Sequence, residues 1–261
     1  MSSEPWRIDP AYATQAAEAP TRASPGPKLA PSEVGGAMAA WIRLSAEKRV
    51  CCDLRAREAG PDDVRHSKFG GTPLFSRAEL DRWPICEECG DEMQLRYQLF
   101  LRDVPCLPCP RDADGLQVFF CPNECGEEEA SFSHRWIDAA RITDPIDRPL
   151  GVPLAPARVL GRLVDDYPGV QELGPGGAWM ATKVSGLTLD VDGEEVRFLY
   201  AWERWHHRGD KVGGYVDWVQ DGWRCCSEPL YPIIQLEWAE GYQWVLGCAE
   251  CGAIHTEYQG T

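Results

Sequence analysis

The chain has 261 residues, with 44% hydrophobic and 10% aromatic side chains, enough for two small domains or one large β domain around a real core. Its formal net charge of −15, from 41 acidic and 26 basic side chains, argues against a nucleic-acid partner, because neutralising phosphates takes a basic surface. No run approaches the roughly 18 apolar residues of a membrane-spanning helix, and the opening MSSEPWRIDP lacks the basic and apolar regions of a secretory signal, so a cytoplasmic location is expected.

In chain order, residues 1–36 are rich in Ala, Pro, Ser and Gly without periodicity and read as a flexible tail. The segment AMAAWIRLSAEKRV fits a short helix leading into a strand, though periodicity does not decide it. From Ser67 onward the chain becomes strand-like, with frequent Gly and Pro punctuation. DPIDRPLGVPLAPARV (144–159) reads as a connector, and APARVLGRLVDDY at its end as the start of a short helix. GLTLDVDGEEVRFLYAWERW reads as a hairpin, because Leu187, Leu189 and Val191 alternate with polar neighbours and Asp192-Gly193 is a favoured two-residue turn. The expected fold class is mainly β with short helices (α+β), in two pseudo-symmetric β-rich halves.

An internal repeat supports the two halves. SKFGGTPLF (67–75) resembles DKVGGYVDWVQ (210–220), each with a lysine two residues before a Gly-Gly pair. CGDEMQLRYQLF (89–100) aligns without gaps on CSEPLYPIIQLE (226–237), matching Cys89 with Cys226 and Gln98 with Gln235. FFCPNECG (119–126) resembles VLGCAECG (245–252). The three features recur in one order, which gives a first half at 37–150 and a second at 151–261.

Disulfides rarely persist in the cytosol, so twelve cysteines falling in close pairs point to metal. CEEC (86–89), CPNEC (121–125) and CAEC (248–251) are each followed by Gly, as in a zinc knuckle, where amides aim at the sulfurs and Gly tolerates the positive φ that follows. For the first zinc site the repeat favours Cys86, Cys89, Cys121 and Cys125. The competing set, Cys86, Cys89, Cys106 and Cys109, has a standard zinc spacing, but the second half has no counterpart of the CLPCP insertion. The second site is expected to be partial, with Cys226, Cys248 and Cys251. Cys225 or His255 is available as a fourth ligand, although adjacent cysteines share one ion awkwardly.

SKFGGTPLF, WPICEECGDEMQLRYQLF and DADGLQVFFCPNEC together resemble the bacterial YwqG-like family of unknown function, and are similar to the eukaryotic programmed-cell-death-protein-2 family. The resemblance covers roughly residues 40–126 and 205–255 and rests on the order of the motifs. It implies a pseudo-two-fold β fold and a binding role. The eukaryotic branch acts as dedicated chaperones for a small-subunit ribosomal protein, and bacterial relatives occur near toxin genes, as immunity factors do. The chain departs from the eukaryotic branch in lacking a separate MYND-type zinc finger and in reading GGYVDW where the first half has GGTP.

No catalytic residues are expected: G-x-S-x-G, the Walker loop, H-E-x-x-H and a dinucleotide Gly-rich turn are all absent. The one H-x-E, at His255 and Glu257, follows CAEC instead of preceding it, against the order of zinc deaminases. Trp202, Trp205, Trp218, Trp223, Trp238 and Trp244 suit a groove or, more commonly, a core. The sequence thus favours a zinc-stabilised, acidic protein-binding module with a basic protein partner, such as an immunity-like factor or a client chaperone. An enzyme or small-ligand binder using the cleft between the halves is the alternative. Arg outnumbering Lys, with abundant Ala and Gly, points to a bacterial source.

Overall fold

A computed structural model of the chain describes residues 6–7, 49–54, 57–123, 125, 132–167, 188–191, 194–197, 209–216, 224–226, 228–238, 241–248 and 250–260. The fold is mainly β, with two six-stranded antiparallel sheets. The first runs β3 (Arg57–Ala59), β9 (Ala157–Val159), β4 (Lys68–Phe69), β5 (Gln94–Phe100), β7 (Gly115–Phe120), β8 (Phe132–Ile137). The second runs β10 (Arg162–Asp166), β2 (Arg49–Asp53), β13 (Lys211–Gly213), β16 (Tyr231–Trp238), β17 (Gly241–Gly247), β18 (Ile254–Gly260). Three small pairs complete the described strands: β1 (Trp6–Arg7) with β6 (Cys109–Pro110), β11 (Thr188–Val191) with β12 (Glu194–Arg197), and β14 (Arg224–Cys225) with β15 (Glu228–Pro229).

The connections cross between sheets. β2 and β3 are consecutive in the chain yet lie in different sheets, and so do β9 and β10. Both sheets feed one core, in which Tyr97, Leu99, Leu116 and Val118 of the first pack with Val212, Ile233, Ile234 and Val245 of the second. The central strands are buried on both faces: in β7 only Phe120, and in β17 only Tyr242, is partly exposed. Apolar residues on both faces, such as Leu116, Val118, Phe119 and Phe120, suit that position, and the buried Gln117 among them is hydrogen-bonded.

The lysine of each Lys-x-Gly-Gly segment starts the third strand of its sheet. Lys68 pairs with Gln98 and Lys211 with Gln235. Lys211 and Asp166 are both fully buried and their charges meet at 2.9 Å; the Asp166 carboxylate also accepts the Tyr215 amide at 2.8 Å. In the first sheet Lys68 donates to Asp62 at 2.5 Å, and Asp62 accepts the Thr72 amide at 2.8 Å. The two glycines make these pairs possible. Gly71 and Gly214 have φ of 72° and 76°, and a Cβ there would lie 2.4 Å from Asp62 Oδ1 and 2.2 Å from Asp166 Oδ2. Burial draws Lys68 below the usual amine range. Burial would lift Asp62, but hydrogen bonds from Lys68 and Thr72 outweigh it and hold the carboxyl below its ordinary value. That contribution to stability is present above the unfolded carboxylate pKa and is lost as pH falls through the folded one.

The glutamines opposite are also satisfied. Gln98 Oε1 accepts from the Leu74 amide and from Gln117 Nε2, and its amide donates to the carbonyls of Val64 and His66. Gln235 Oε1 accepts from Trp244 Nε1 at 2.9 Å, and its amide donates to the Gly209 carbonyl. The fully buried Trp244 is therefore a core residue; Trp202, Trp205, Trp218 and Trp223 lie outside the described residues, as does the Trp238 side chain. Register shifts fall at Leu95/Tyr97 in β5 and at Pro232/Ile234 in β16, the same distance before each glutamine.

Several sequence expectations meet the structure here. Val191 pairs with Glu194, so the hairpin forms with a two-residue connection at 192–193. The short helix expected from APARVLGRLVDDY is replaced by β9 and β10. Each is held by neighbouring strands, and Gly161 between them sits where a Cβ would be 3.2 Å from Cys52 and from Val104. Among the described residues the one helix is the 3-10 helix Arg77–Arg82, capped by the Ser76 side chain. The tail contributes Trp6–Arg7 to a strand pair; residues 8–36, and the helix expected before Arg49, lie outside the described residues.

Two stability measurements check this account. Gly214→Ala is expected to cost at least about 1 kcal/mol more than Gly151→Ala in denaturant unfolding. Both place Ala at positive φ, but only Gly214 faces a carboxylate while Gly151 faces open space. Lys211→Met is expected to cost about 3–5 kcal/mol, because it leaves Asp166 charged in a dry interior, and more than Lys68→Met, whose partner Asp62 is 32% exposed.

Candidate metal centres

Two stretches of backbone make the same turn. In Cys86–Gly90 the Cys86 amide donates to the Asp91 carbonyl and the Gly90 amide to the Cys86 carbonyl, each at 2.9 Å. In Cys248–Gly252 the Cys248 amide donates to Ala253 and the Gly252 amide to Cys248, again at 2.9 Å. Gly90 and Gly252 sit at φ of 78° and 74°, which glycine tolerates freely. The amides of Glu88 and Cys89 face the Cys86 sulfur, and those of Glu250 and Cys251 face the Cys248 sulfur. Such N–H donors stabilise thiolate charge.

Each turn meets a second cysteine pair. The sulfurs of Cys86, Cys89, Cys121 and Cys125 lie within 4.8 Å of one another, and so do those of Cys225, Cys226, Cys248 and Cys251. Individual separations are 3.6 Å for Cys89–Cys121, 3.6 Å for Cys225–Cys251 and 3.9 Å for Cys225–Cys226. Four sulfurs at about 2.3 Å from a tetrahedral metal would stand about 3.8 Å apart. The donor set therefore fits a four-thiolate ion in both places. Each group rests on apolar packing: the first on Phe75, Trp83, Met93 and Phe119, the second on Val216, Leu230, Trp244 and Leu246.

The expected residues Cys86, Cys89, Cys121 and Cys125 come together, and Cys226, Cys248 and Cys251 come together with Cys225. His255 is not in the second group; it lies on β18, and its place is taken by Cys225. The awkwardness of adjacent cysteines is relieved at Cys226, whose φ of 50° is the one positive value among the described non-glycine residues. That left-handed turn brings two consecutive sulfurs to one point. Cys106 and Cys109 join neither group. Cys106 is in a disulfide with Cys52, and Cys109 is buried in the central core.

The roles of the pairs exchange between the sheets. Cys89 and Cys226 both precede the fourth strand of their sheet, and Cys121 and Cys248 both follow the fifth. The tight turn, however, is Cys86–Gly90 before β5 in one case and Cys248–Gly252 after β17 in the other. The longer CPNEC loop uses Asn123 instead: its amide donates to the Cys121 sulfur at 3.4 Å and its side chain to Cys89 at 3.4 Å.

Without metal the thiols divide their protons unequally. The Asp91 amide and the Asn123 side chain bring Cys89 down to about 7, and the Cys251 amide brings Cys248 down to about 7. Neighbouring sulfurs push Cys125 and Cys226 up to about 12. A dication replaces the shared protons, so capture releases them.

No protein-family model matches the chain, and no curated protein matches it significantly. Among the described residues no helix is long and apolar enough to cross a membrane.

Cys225→Ser is expected to lower metal retention in the second group as much as Cys226→Ser does, while Cys106→Ser leaves both groups loaded. Elemental analysis of each purified variant reads this directly. Retention against a fixed chelator should also fall as pH is lowered, and more steeply below about 7, where Cys89 and Cys248 take up protons as well.

Proposed function

We propose that the chain is a zinc-stabilised protein-binding module that acts in the cytoplasm on a basic protein partner, as an immunity-like factor or a dedicated client chaperone does. The observation that carries it is the pair of four-sulfur groups. Four thiolates complete a tetrahedron and leave no position for substrate, so an ion held this way supports folding and not turnover. Tetrahedral four-thiolate sites suit zinc or iron, and zinc is the usual structural ion in a closed site of this kind. The net charge of −15 supports a basic partner, whose encounter it would steer.

We read the architecture as a duplicated module with pseudo-two-fold symmetry. Support comes from the matched sheet orders, the buried lysines paired with aspartates behind two Gly-Gly turns, the glutamines opposite each lysine, and the register shifts at equivalent positions. A pseudo-two-fold β fold is also what the resemblance to the YwqG-like family leads one to expect.

The test uses the full chain, tagged and recovered from cells of its source at physiological salt, with the complex then rebuilt from purified components. Two zinc ions per chain and a stoichiometric basic partner, bound less tightly as salt rises, are expected. A purified chain free of zinc, or one that retains no protein, would overturn the reading.

A further inference from the structure

The two four-sulfur groups differ in what guards them. In the first, Cys86 and Cys121 are buried, Cys125 is half-buried and Cys89 is exposed. In the second, Cys248 is buried and Cys225 half-buried, while Cys226 and Cys251 are both exposed. Hydrogen-bond donors follow the same division. Asn123 gives its side-chain amide to the Cys89 sulfur and its backbone N–H to the Cys121 sulfur, each at 3.4 Å. The Asp91 amide also faces Cys89. In the second group the amides of Glu250 and Cys251 face Cys248, the buried member. Among the described residues no N–H donates to the sulfurs of Cys225, Cys226 or Cys251, whose contacts are with one another.

A thiol that holds a metal ion is deprotonated, and an exposed thiolate is the form that oxidants attack. An N–H donated to the sulfur holds its charge and is weakened as the sulfur reacts, so it slows that attack. The exposed sulfur of the first group is shielded in this way, and the two of the second are not. Geometry then selects the pair. Cys225 and Cys251 stand 3.6 Å apart at sulfur. Neighbouring residues such as Cys225 and Cys226 are about 3.8 Å apart at Cα across a trans peptide, short of the roughly 4.4 Å that a disulfide needs.

We infer that Cys225 and Cys251 are a site of oxidative modification, converted by a hydroperoxide into a disulfide that opens the second group while the first stays closed. This rests on the metal binding proposed above. The Cys251 thiolate attacks one peroxide oxygen: the S–O bond forms, the O–O bond breaks, and hydroxide leaves. The sulfur has lost two electrons and the peroxide has gained them. The Cys225 thiolate then attacks the sulfenic sulfur, the S–S bond forms, and a second hydroxide leaves; two protons from solvent turn both hydroxides into water. With two of four donors consumed, Cys226 and Cys248 alone cannot close a tetrahedral site. The new bond joins β14 to the turn after β17, the same segments that the four sulfurs join, so the hairpin stays tied.

The zinc-loaded full chain is treated with hydrogen peroxide, released zinc is followed with a colorimetric indicator, and alkylated samples are mapped by mass spectrometry. One ion per chain should leave about tenfold or more faster than the other. When it has left, the first new disulfide among the eight sulfurs should be Cys225–Cys251, with Cys86, Cys89, Cys121 and Cys125 unoxidised. Dithiothreitol and added zinc should restore both ions. Asn123→Ala removes the side-chain donor from Cys89 and should speed the slower loss about threefold or more. The inference is overturned if the first group oxidises first or together with the second, if the first new disulfide joins another pair, or if Asn123→Ala leaves the slower loss unchanged. The wild-type map decides the matter even where Asn123→Ala fails to hold its ion. A chain purified without zinc would overturn the metal reading before any oxidant is added, whereas two ions that leave together under peroxide would sink this inference and leave that reading standing.

Discussion

A buried ammonium group held by a carboxylate fixes the third strand of each sheet, in a dry interior at Lys211 and against the partly exposed Asp62 at Lys68. Lys211 and Asp166 are wholly buried, and such a pair is tolerated only when every remaining donor and acceptor is matched. The matching determines much of what surrounds it. Tyr215 and Thr72 must offer their amides to the two carboxylates, and the residue before each must lack a Cβ. The chain must then turn through left-handed backbone, which places the glutamine partners and the fourth strand. Two hydrogen-bonded glutamines in the middle of buried strands complete a polar layer with little freedom to slip register, since a shift of one residue would orphan several groups at once.

The four-sulfur groups act at the far end of the same strands. They close the segments that precede β5 and β16 onto those that follow β7 and β17, where the sheets would otherwise fray. Each sits over its own apolar cluster. An ion held by these sulfurs would reinforce the same contacts that the packing makes.

Much of this was legible in the sequence where the signal is local. The Cys-x-x-Cys-Gly turns, the Lys-x-Gly-Gly segments and the Asp192-Gly193 hairpin each declare themselves within a few residues. What was not legible depends on distant partners. Ala157–Val159 is three residues between prolines and a glycine, with no period of its own, and becomes a strand because β3 and β4 flank it. Asp62 and Asp166 look like ordinary surface acids until the fold brings a lysine to each. The choice between Cys225 and His255 as fourth member of the second group stays open in the sequence, since the left-handed turn at Cys226 has no glycine to announce it. Phe132–His134 and Ile254–Thr256 line one cleft although they lie 122 residues apart in the chain.

The crossing of β2 and β3, and of β9 and β10, has a bearing on how the molecule is made. A ribosome that has delivered residues 49–150 has supplied β4, β5, β7 and β8 but not the strand that lies between β3 and β4. β2 has no sheet to enter until β10 and β13 emerge. The nascent first half therefore waits with an unfilled gap in its hydrogen-bond ladder, which closes by pairings of about 90–100 residues' separation, while β2 finds β10 only across more than 100. Long-range closure of this kind is slow, because loop entropy must be spent before the contacts reward it. During that interval the incomplete edges are open to other strands, so the protein is most vulnerable to mispairing while it is being synthesised, before its last hundred residues arrive.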